Sequence, residues 1–383
     1  MQTRFNYLDN LTSLRGITAL LVAVYHFEDL MLRFIPQASS MFFSKSYMMV
    51  DIFFLMSGFI ITHVYDPRFQ QQIAAPDYKK FIIARFARIY PMHLFVLLIV
   101  LISFVASGSP SSPIQNPNAI LTNLLLVHSV GIHHTFTWNV PSWSISAEWW
   151  CYVLFPFLIV FLNRMKNFAA GCLFAFSVLI YLSIMYWLPR VGENGLPLAV
   201  AVHDLNVSFD YGFIRGLAGF TLGMLLYKLY KTPLSKGWFS SDWLLALLTT
   251  AAVLCMHFAA PDILCVPLFA GIVICTACND GIIHKILDGR VLKYLGDISY
   301  SIYMLHVVVI FTILEILKAF ELPLSAASAA NFPFWPGLLA CVGFLAVVIG
   351  LSAVTYEWVE KPCRDFINRW ALRRDAGSQA LMK

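Results

Sequence analysis

Arg15, His26, Asp51, Glu148, Asp210, Arg215 and His306 all stand inside long apolar runs of a 383-residue chain. An ionisable side chain in such a run is costly, so it lines a cavity or site, or meets a counter-charge. Arg15 and His26 are eleven positions apart. At 100° and 1.5 Å per residue they return to within about 20° of one helical face, roughly 16 Å apart along it. One helix face therefore offers a permanent cation at one level and an imidazole, a base suited to neutral pH, at another. Asp51 lies four residues into the next run and Glu148 about three into a later one. Both thus fall within roughly 10 Å of the membrane boundary that His26 approaches. Two carboxylates and a histidine at one depth form an acid–base cluster if their helices adjoin. The plainer alternatives are a histidine bonded in a helix–helix contact, and carboxylates that neutralise Arg215 or cap backbone donors.

A second group is basic. Arg85 and Arg88 stand at i and i+3 in Arg85-Phe86-Ala87-Arg88-Ile89-Tyr90-Pro91, with Lys79 and Lys80 just upstream. Paired guanidinium groups suit phosphate through bidentate donors and permanent charge. Basic residues flanking a span also set topology and meet anionic lipid heads, and spacing does not choose between the two.

The elements that hold these side chains follow from composition. The chain is 59% apolar and 12% charged with a mean hydropathy of +0.73, against about 25% charged in an ordinary soluble domain. That excludes a soluble globular protein, a disordered chain, a coiled coil and a disulfide-stapled module. The eight cysteines fall almost wholly within apolar runs and read as small fillers. A lone Cys275/Cys278 pair lacks a second ligand pair, so no metal is expected. The net charge of +5 points to no nucleic acid, because the basic residues sort by membrane side.

The fold class expected is an all-α polytopic membrane bundle. Ten spans are read, over roughly 11–32, 47–64, 88–107, 145–163, 168–188, 208–230, 242–259, 263–280, 297–318 and 335–357, each near the length that crosses a bilayer core. With the N-terminus in the cytoplasm, inner segments hold all but five of the 26 Lys and Arg residues, namely Arg33, Lys45, Arg190, Lys318 and the intramembrane Arg215. The positive-inside rule then puts both termini in the cytoplasm. This parity requires that 119–130, too short for a span, be a re-entrant or surface helix on the outer side. A membrane domain over 1–360 is followed by a basic cytoplasmic tail over 361–383. The first apolar run reads as a retained span without a cleavage site. No internal repeat is visible, which disfavours inverted-repeat transporters.

Several stretches together resemble the acyltransferase-3 family of bacterial integral-membrane acyltransferases. Leu14-Arg15-Gly16-Ile17 leading to His26 matches its R-x10-H signature. Val50-Asp51-Ile52-Phe53-Phe54-Leu55-Met56-Ser57-Gly58-Phe59 is similar to its VDLFFVLSGF segment, and Arg85 and Arg88 with Ile89-Tyr90-Pro91 to its RxxRIxP element. Pro141-Ser142-Trp143-Ser144-Ile145-Ser146-Ala147-Glu148, Ser299-Tyr300-Ser301-Ile302-Tyr303-Met304-Leu305-His306 and Glu360-Lys361-Pro362 complete the set in order. Met49 and Trp149 depart from the pattern, and the second leaves Glu148 as the single acid there. The chain resembles the stand-alone form, without a fused esterase-like domain.

The resemblance implies an O-acyltransferase of the bacterial inner membrane. It would move an acyl group, most often acetyl, from cytoplasmic acetyl-CoA (acyl-CoA) to a hydroxyl of a carbohydrate acceptor, commonly on the outer side. Arg15, Arg85 and Arg88 are then expected to hold the CoA phosphates. His26 acts as general base, with Asp51 or Glu148 tuning it and setting its tautomer. Arg215, Tyr303 and His306 are expected on the substrate side, Arg215 and His306 as polar lining or oxyanion stabilisers with a structural role as the alternative, and Tyr303 and Ser57 are equally open between the two. The outer connectors 108–144 and 189–207, with His133, His134, Trp138, Glu193 and Asp204, offer acceptor contacts. The alternative is a transporter or flippase of a glycan or lipid-linked substrate.

Overall fold

Apolar runs and polar connectors resolve into a helical bundle in the computed structural model, which describes residues 8–107, 114–190, 202–233, 237–321 and 332–380. In chain order the helices are α1 (Asp9–Leu30), α2 (Met49–Tyr65), α3 (Ala75–Ser107), α4 (Ile120–Leu124), α5 (Ser142–Tyr186), α6 (Gly212–Tyr230) and α7 (Asp242–His257). They continue as α8 (Asp262–Cys278), α9 (Ile282–Leu287), α10 (Arg290–Asp297), α11 (Ser299–Ala319), α12 (Phe334–Thr355) and α13 (Lys361–Ala380). Five segments, Ser46–Arg68, Ala75–Ala106, Ser142–Tyr186, Ser299–Ala319 and Phe334–Ala371, are long and apolar enough to cross a membrane, and α7 and α8 are apolar but shorter. The chain is thus a polytopic helical membrane protein. Leu98, Ile102 and Val105 on α3 and Leu339, Val347 and Val354 on α12 are exposed, as side chains facing lipid are.

α5 is a hairpin of two helices. Lys166 adopts φ 48° and ψ −120° between them, a left-handed conformation that breaks a helix. On the first half, Glu148 meets Ser57 within α2 and Asn163 meets Asp66 just past its end. On the second half, Tyr181 meets Asp51 back at the start of α2. The halves are therefore antiparallel, in agreement with separate spans over 145–163 and 168–188.

The stretch 119–130 does not cross. α4 has five residues and is followed by Leu126 at φ 56°. Its carbonyls turn into the bundle, and side chains from α3 and α5 meet them. Tyr90 Oη donates to Leu124 O at 3.1 Å, and His93 Nε2 bonds Asn123 O at 3.0 Å. Ser146 Oγ and Trp150 Nε1 both donate to Leu126 O, at 2.7 and 2.9 Å. Irregular backbone at membrane depth is tolerated only with such partners. At the other end, α12 passes through one π-helical turn (Tyr356–Glu360) directly into α13.

α2 and α6 cross at glycines. A Cβ on Gly58 would meet Phe220 O at 1.9 Å, and one on Gly223 would meet Leu55 O at 2.1 Å. Small residues let two backbones approach where no hydrophobic force drives helices together in lipid. Gly223→Leu is expected to separate the pair and destabilise the protein by about 3 kcal/mol, at the upper end of overpacking costs. A melting curve in detergent micelles checks this; an unshifted midpoint would show that the crossing gives way cheaply.

Candidate active site

α1 carries Arg15 and His26 into two different cavities. The first, ≈ 120 Å³, lies among α1, α2, α3, α5 and α11 and is lined by Arg15, Ser57, Arg85, Arg88, Glu148, Tyr152, Tyr300 and Tyr303, among others. α3 presents Arg85 and Arg88 on one side because positions three apart are neighbours on a helix. Arg88 is ion-paired with Glu360, whose carboxylate is 1% exposed and also accepts Ser301 Oγ at 2.8 Å. Arg85 Nη2 donates to Tyr65 Oη at 3.2 Å, and its guanidinium lies 5.3 and 5.8 Å from the Tyr65 and Tyr152 ring centres. Its Nε is buried and finds no hydrogen-bond partner among the described residues. The Arg15 guanidinium makes no hydrogen bond or ion pair to them either. The carboxylate within this cavity, Glu148, accepts Ser57 Oγ at 2.7 Å and Tyr152 Oη at 2.6 Å. Three guanidinium groups thus face two nearby carboxylates, with donors left over in a poorly solvated space. That arrangement favours an anion carrying several oxygen acceptors.

The second cavity, ≈ 420 Å³, is lined by Tyr25, His26, Asp29, Arg190, Asp204 and Asp210, among others. Arg190 Nη2 donates to the Asp204 carboxylate at 2.5 Å. His26 Nδ1 lies 3.0 Å from Val22 O, one turn back on its own helix, and 3.1 Å from His306 Nε2. His306, from α11, is fully buried. Tyr303, three residues earlier on the same helix, stands beside it with ring centres 5.7 Å apart, and Tyr303 Oη accepts Ser144 Oγ at 2.7 Å. Tyr303 lines the arginine cavity and His26 the other, so His306 and Tyr303 stand between them.

Most of the site residues read from sequence fall into these two places, but not in the expected grouping. Arg15, Arg85, Arg88, Glu148 and Tyr303 share one cavity, and His26 pairs with His306. The cluster expected of His26, Asp51 and Glu148 does not form. Asp51 turns instead to Arg215 of α6, with Oδ2 2.6 Å from Nη2 and Oδ1 3.1 Å from Nε. Both side chains are fully buried. Equal depth on three helices says nothing about facing, and a buried guanidinium requires its counter-ion. Arg215 also donates to Val207 O and Tyr47 O, each at 3.2 Å, so it is a fully bonded element of the α2–α6 contact and lines neither cavity. A carboxylate therefore does not set the His26 tautomer. Tyr152 was not picked out from sequence, and Glu360 was read only as part of the terminal Glu360-Lys361-Pro362 motif, without a role in the site. Tyr152 stands four residues after Glu148, on the same helix face; Glu360 is an acid at the end of an apolar run, a signal of the same kind as Asp51. Of the outer-connector residues, Asp204 lines the His26 cavity. Trp138 is buried with its Nε1 on Asn116 O at 3.1 Å, and His133 bonds Thr122 Oγ1 at 2.7 Å. Glu193 lies outside the described residues.

Comparison with known proteins identifies the family. The sequence profile described as "Acyltransferase domain", of the acyltransferase-3 family, matches residues 8–357. The chain is 26% identical to Acyltransferase MdmB of Streptomyces mycarofaciens, over 96% of this chain and 95% of that protein. It is 24% identical to the putative peptidoglycan O-acetyltransferase YrhL of Bacillus subtilis (strain 168), covering 94% of this chain and 55% of that one. With peptidoglycan O-acetyltransferase OatA of Listeria monocytogenes it shares 23% identity over 96% of its own length and 58% of the relative's. No solved structure matches. The matched region takes in α1 to α12 with both cavities, and the chain belongs to the acyltransferase-3 family of membrane acyltransferases.

Proposed function

We propose that this enzyme moves an acetyl group from acetyl-CoA, held in the arginine cavity, to a hydroxyl of a carbohydrate in the His26 cavity. The observation that carries this reading is α1 itself, which places a guanidinium in one cavity and an imidazole in the other. The ten spans read from sequence, with both termini cytoplasmic, orient the arginine cavity to the cytoplasm and the His26 cavity to the outside of a bacterial inner membrane. Relatives named as peptidoglycan O-acetyltransferases support acetyl as the group and a glycan as the acceptor. Membership of an enzyme family removes the reason to prefer the transporter alternative.

The donor's phosphates take the free donors of Arg15, Arg85 and Arg88, with Arg88 steadied by Glu360. Glu148, through Ser57 and Tyr152, orders hydroxyls on the path of the pantetheine arm. The thioester passes Tyr303 to reach His26, over a distance set by the Arg15-to-His26 rise of roughly 16 Å. His26 removes the acceptor's hydroxyl proton as its oxygen attacks the thioester carbonyl. The C–S bond then breaks, and the CoA thiolate leaves with the proton returned by the imidazolium. Asp51 and Arg215 hold α2 against α6 and take no part in the chemistry.

Purified protein in nanodiscs, given labelled acetyl-CoA and a panel of glycans, is expected to label at least one glycan. Arg85→Ala/Arg88→Ala is expected to weaken CoA binding by roughly 10²-fold, the loss of two charged hydrogen bonds, with glycan affinity unchanged. Titration calorimetry with CoA alone reads this directly. Equal CoA affinity in the double variant would overturn the phosphate assignment.

A further inference from the structure

Resting on that reading, the geometry points to His306 as the positioning residue that, together with the Val22 carbonyl, holds the hydrogen of His26 on Nδ1 and so fixes which nitrogen receives the acceptor's proton. His306 Nδ1 lies 3.2 Å from Ile302 O, the carbonyl one turn back on α11. A carbonyl only accepts, so Nδ1 carries the hydrogen and Nε2 of the neutral ring is left with its lone pair. That lone pair faces His26 Nδ1 at 3.1 Å. His26 Nδ1 also faces the Val22 carbonyl at 3.0 Å, a second pure acceptor. Both neighbours of His26 Nδ1 call for a donor there, so the hydrogen of neutral His26 resides on Nδ1. Its Nε2 then bears the lone pair, and that atom has no protein partner among the described residues while the ring lines the outer cavity.

One chain of hydrogen bonds, Ile302 O to His306 to His26, thus aims a basic nitrogen at the acceptor. In the transfer, the acceptor O–H bond breaks and a bond from its hydrogen to His26 Nε2 forms. The resulting imidazolium keeps its Nδ1–H on His306 Nε2, which stabilises the charge. This is the task a carboxylate performs for the base of a hydrolytic triad, done here by a neutral imidazole. A neutral partner suits a fully buried position, where a carboxylate would demand a further counter-charge.

The test separates positioning from mere packing. His306→Leu removes the side-chain acceptor that steadies the imidazolium, leaving only the Val22 carbonyl on His26 Nδ1, and is expected to lower kcat by roughly 10²-fold, the scale of losing an orienting partner, with KM for acetyl-CoA and glycan within about threefold. His306→Gln places an amide oxygen near the former Nε2, where it accepts from His26 Nδ1 but cannot itself relay a proton. It is expected to recover most of kcat. Melting midpoints of both variants in nanodiscs show that they are folded. Gln as inactive as Leu, with both folded, would overturn the proposal, as would full activity in Leu. His26→Ala is run alongside. If it stays active, the base assignment itself fails; if it is inactive while His306→Leu is not, only the role of His306 is lost.

Discussion

Acyl transfer by His26→Ala is expected to fall by on the order of 10²–10⁴-fold, the usual contribution of a positioned base. CoA affinity should remain as in the parent protein, because the three arginines occupy the other cavity. Among the described residues, the hydrogen-bond and aromatic partners of the ring are a carbonyl of its own helix, His306, and Tyr25 in an edge contact at 4.7 Å between ring centres. Truncation leaves His306 Nε2 without its donor, at a cost of about 1–3 kcal/mol. His26→Gln returns a donor to that space and serves as the companion variant. Both should appear as folded protein by size-exclusion chromatography, and both should be inactive in a labelled-acetyl assay. Activity retained in either would take the imidazole out of the reaction and leave the cavity a binding site.

The second large effect falls on folding. Asp51→Ala leaves the Arg215 guanidinium fully buried beside Tyr47, Trp143 and Tyr181 with no counter-ion. Removing one partner of a buried ion pair costs about 3–5 kcal/mol, a large share of the stability of most proteins. Little folded protein should be recovered from Asp51→Ala or Arg215→Leu. Replacing both together, Asp51→Leu with Arg215→Met, keeps the volume and removes the charges, so folded protein should return. If that double variant also transfers acetyl, the pair is structural, as its geometry indicates. A folded double variant that binds CoA and transfers nothing would return Asp51 to the chemistry.

The all-α membrane class, the two halves of α5 and the failure of 119–130 to cross were all legible in the chain. They follow from local quantities: the length of an apolar run, the residues that break it, and the cost of burying backbone. The separation of Arg15 from His26 was legible for the same reason, since helical rise and twist are fixed by covalent geometry. Their delivery to two cavities was not, because a cavity is bounded by other helices. Asp51, Glu148 and His306 show the limit most clearly. Each was recognisable as out of place in hydrocarbon, and each had to find a partner. Which partner it found depended on helix rotation and on the glycine-to-backbone contact of α2 with α6, which turns Asp51 toward Arg215 and leaves Glu148 to Ser57 and Tyr152. A buried charge announces in sequence that it must be satisfied, whereas the group that satisfies it is chosen by packing between residues as much as 280 positions apart, as His26 and His306 are.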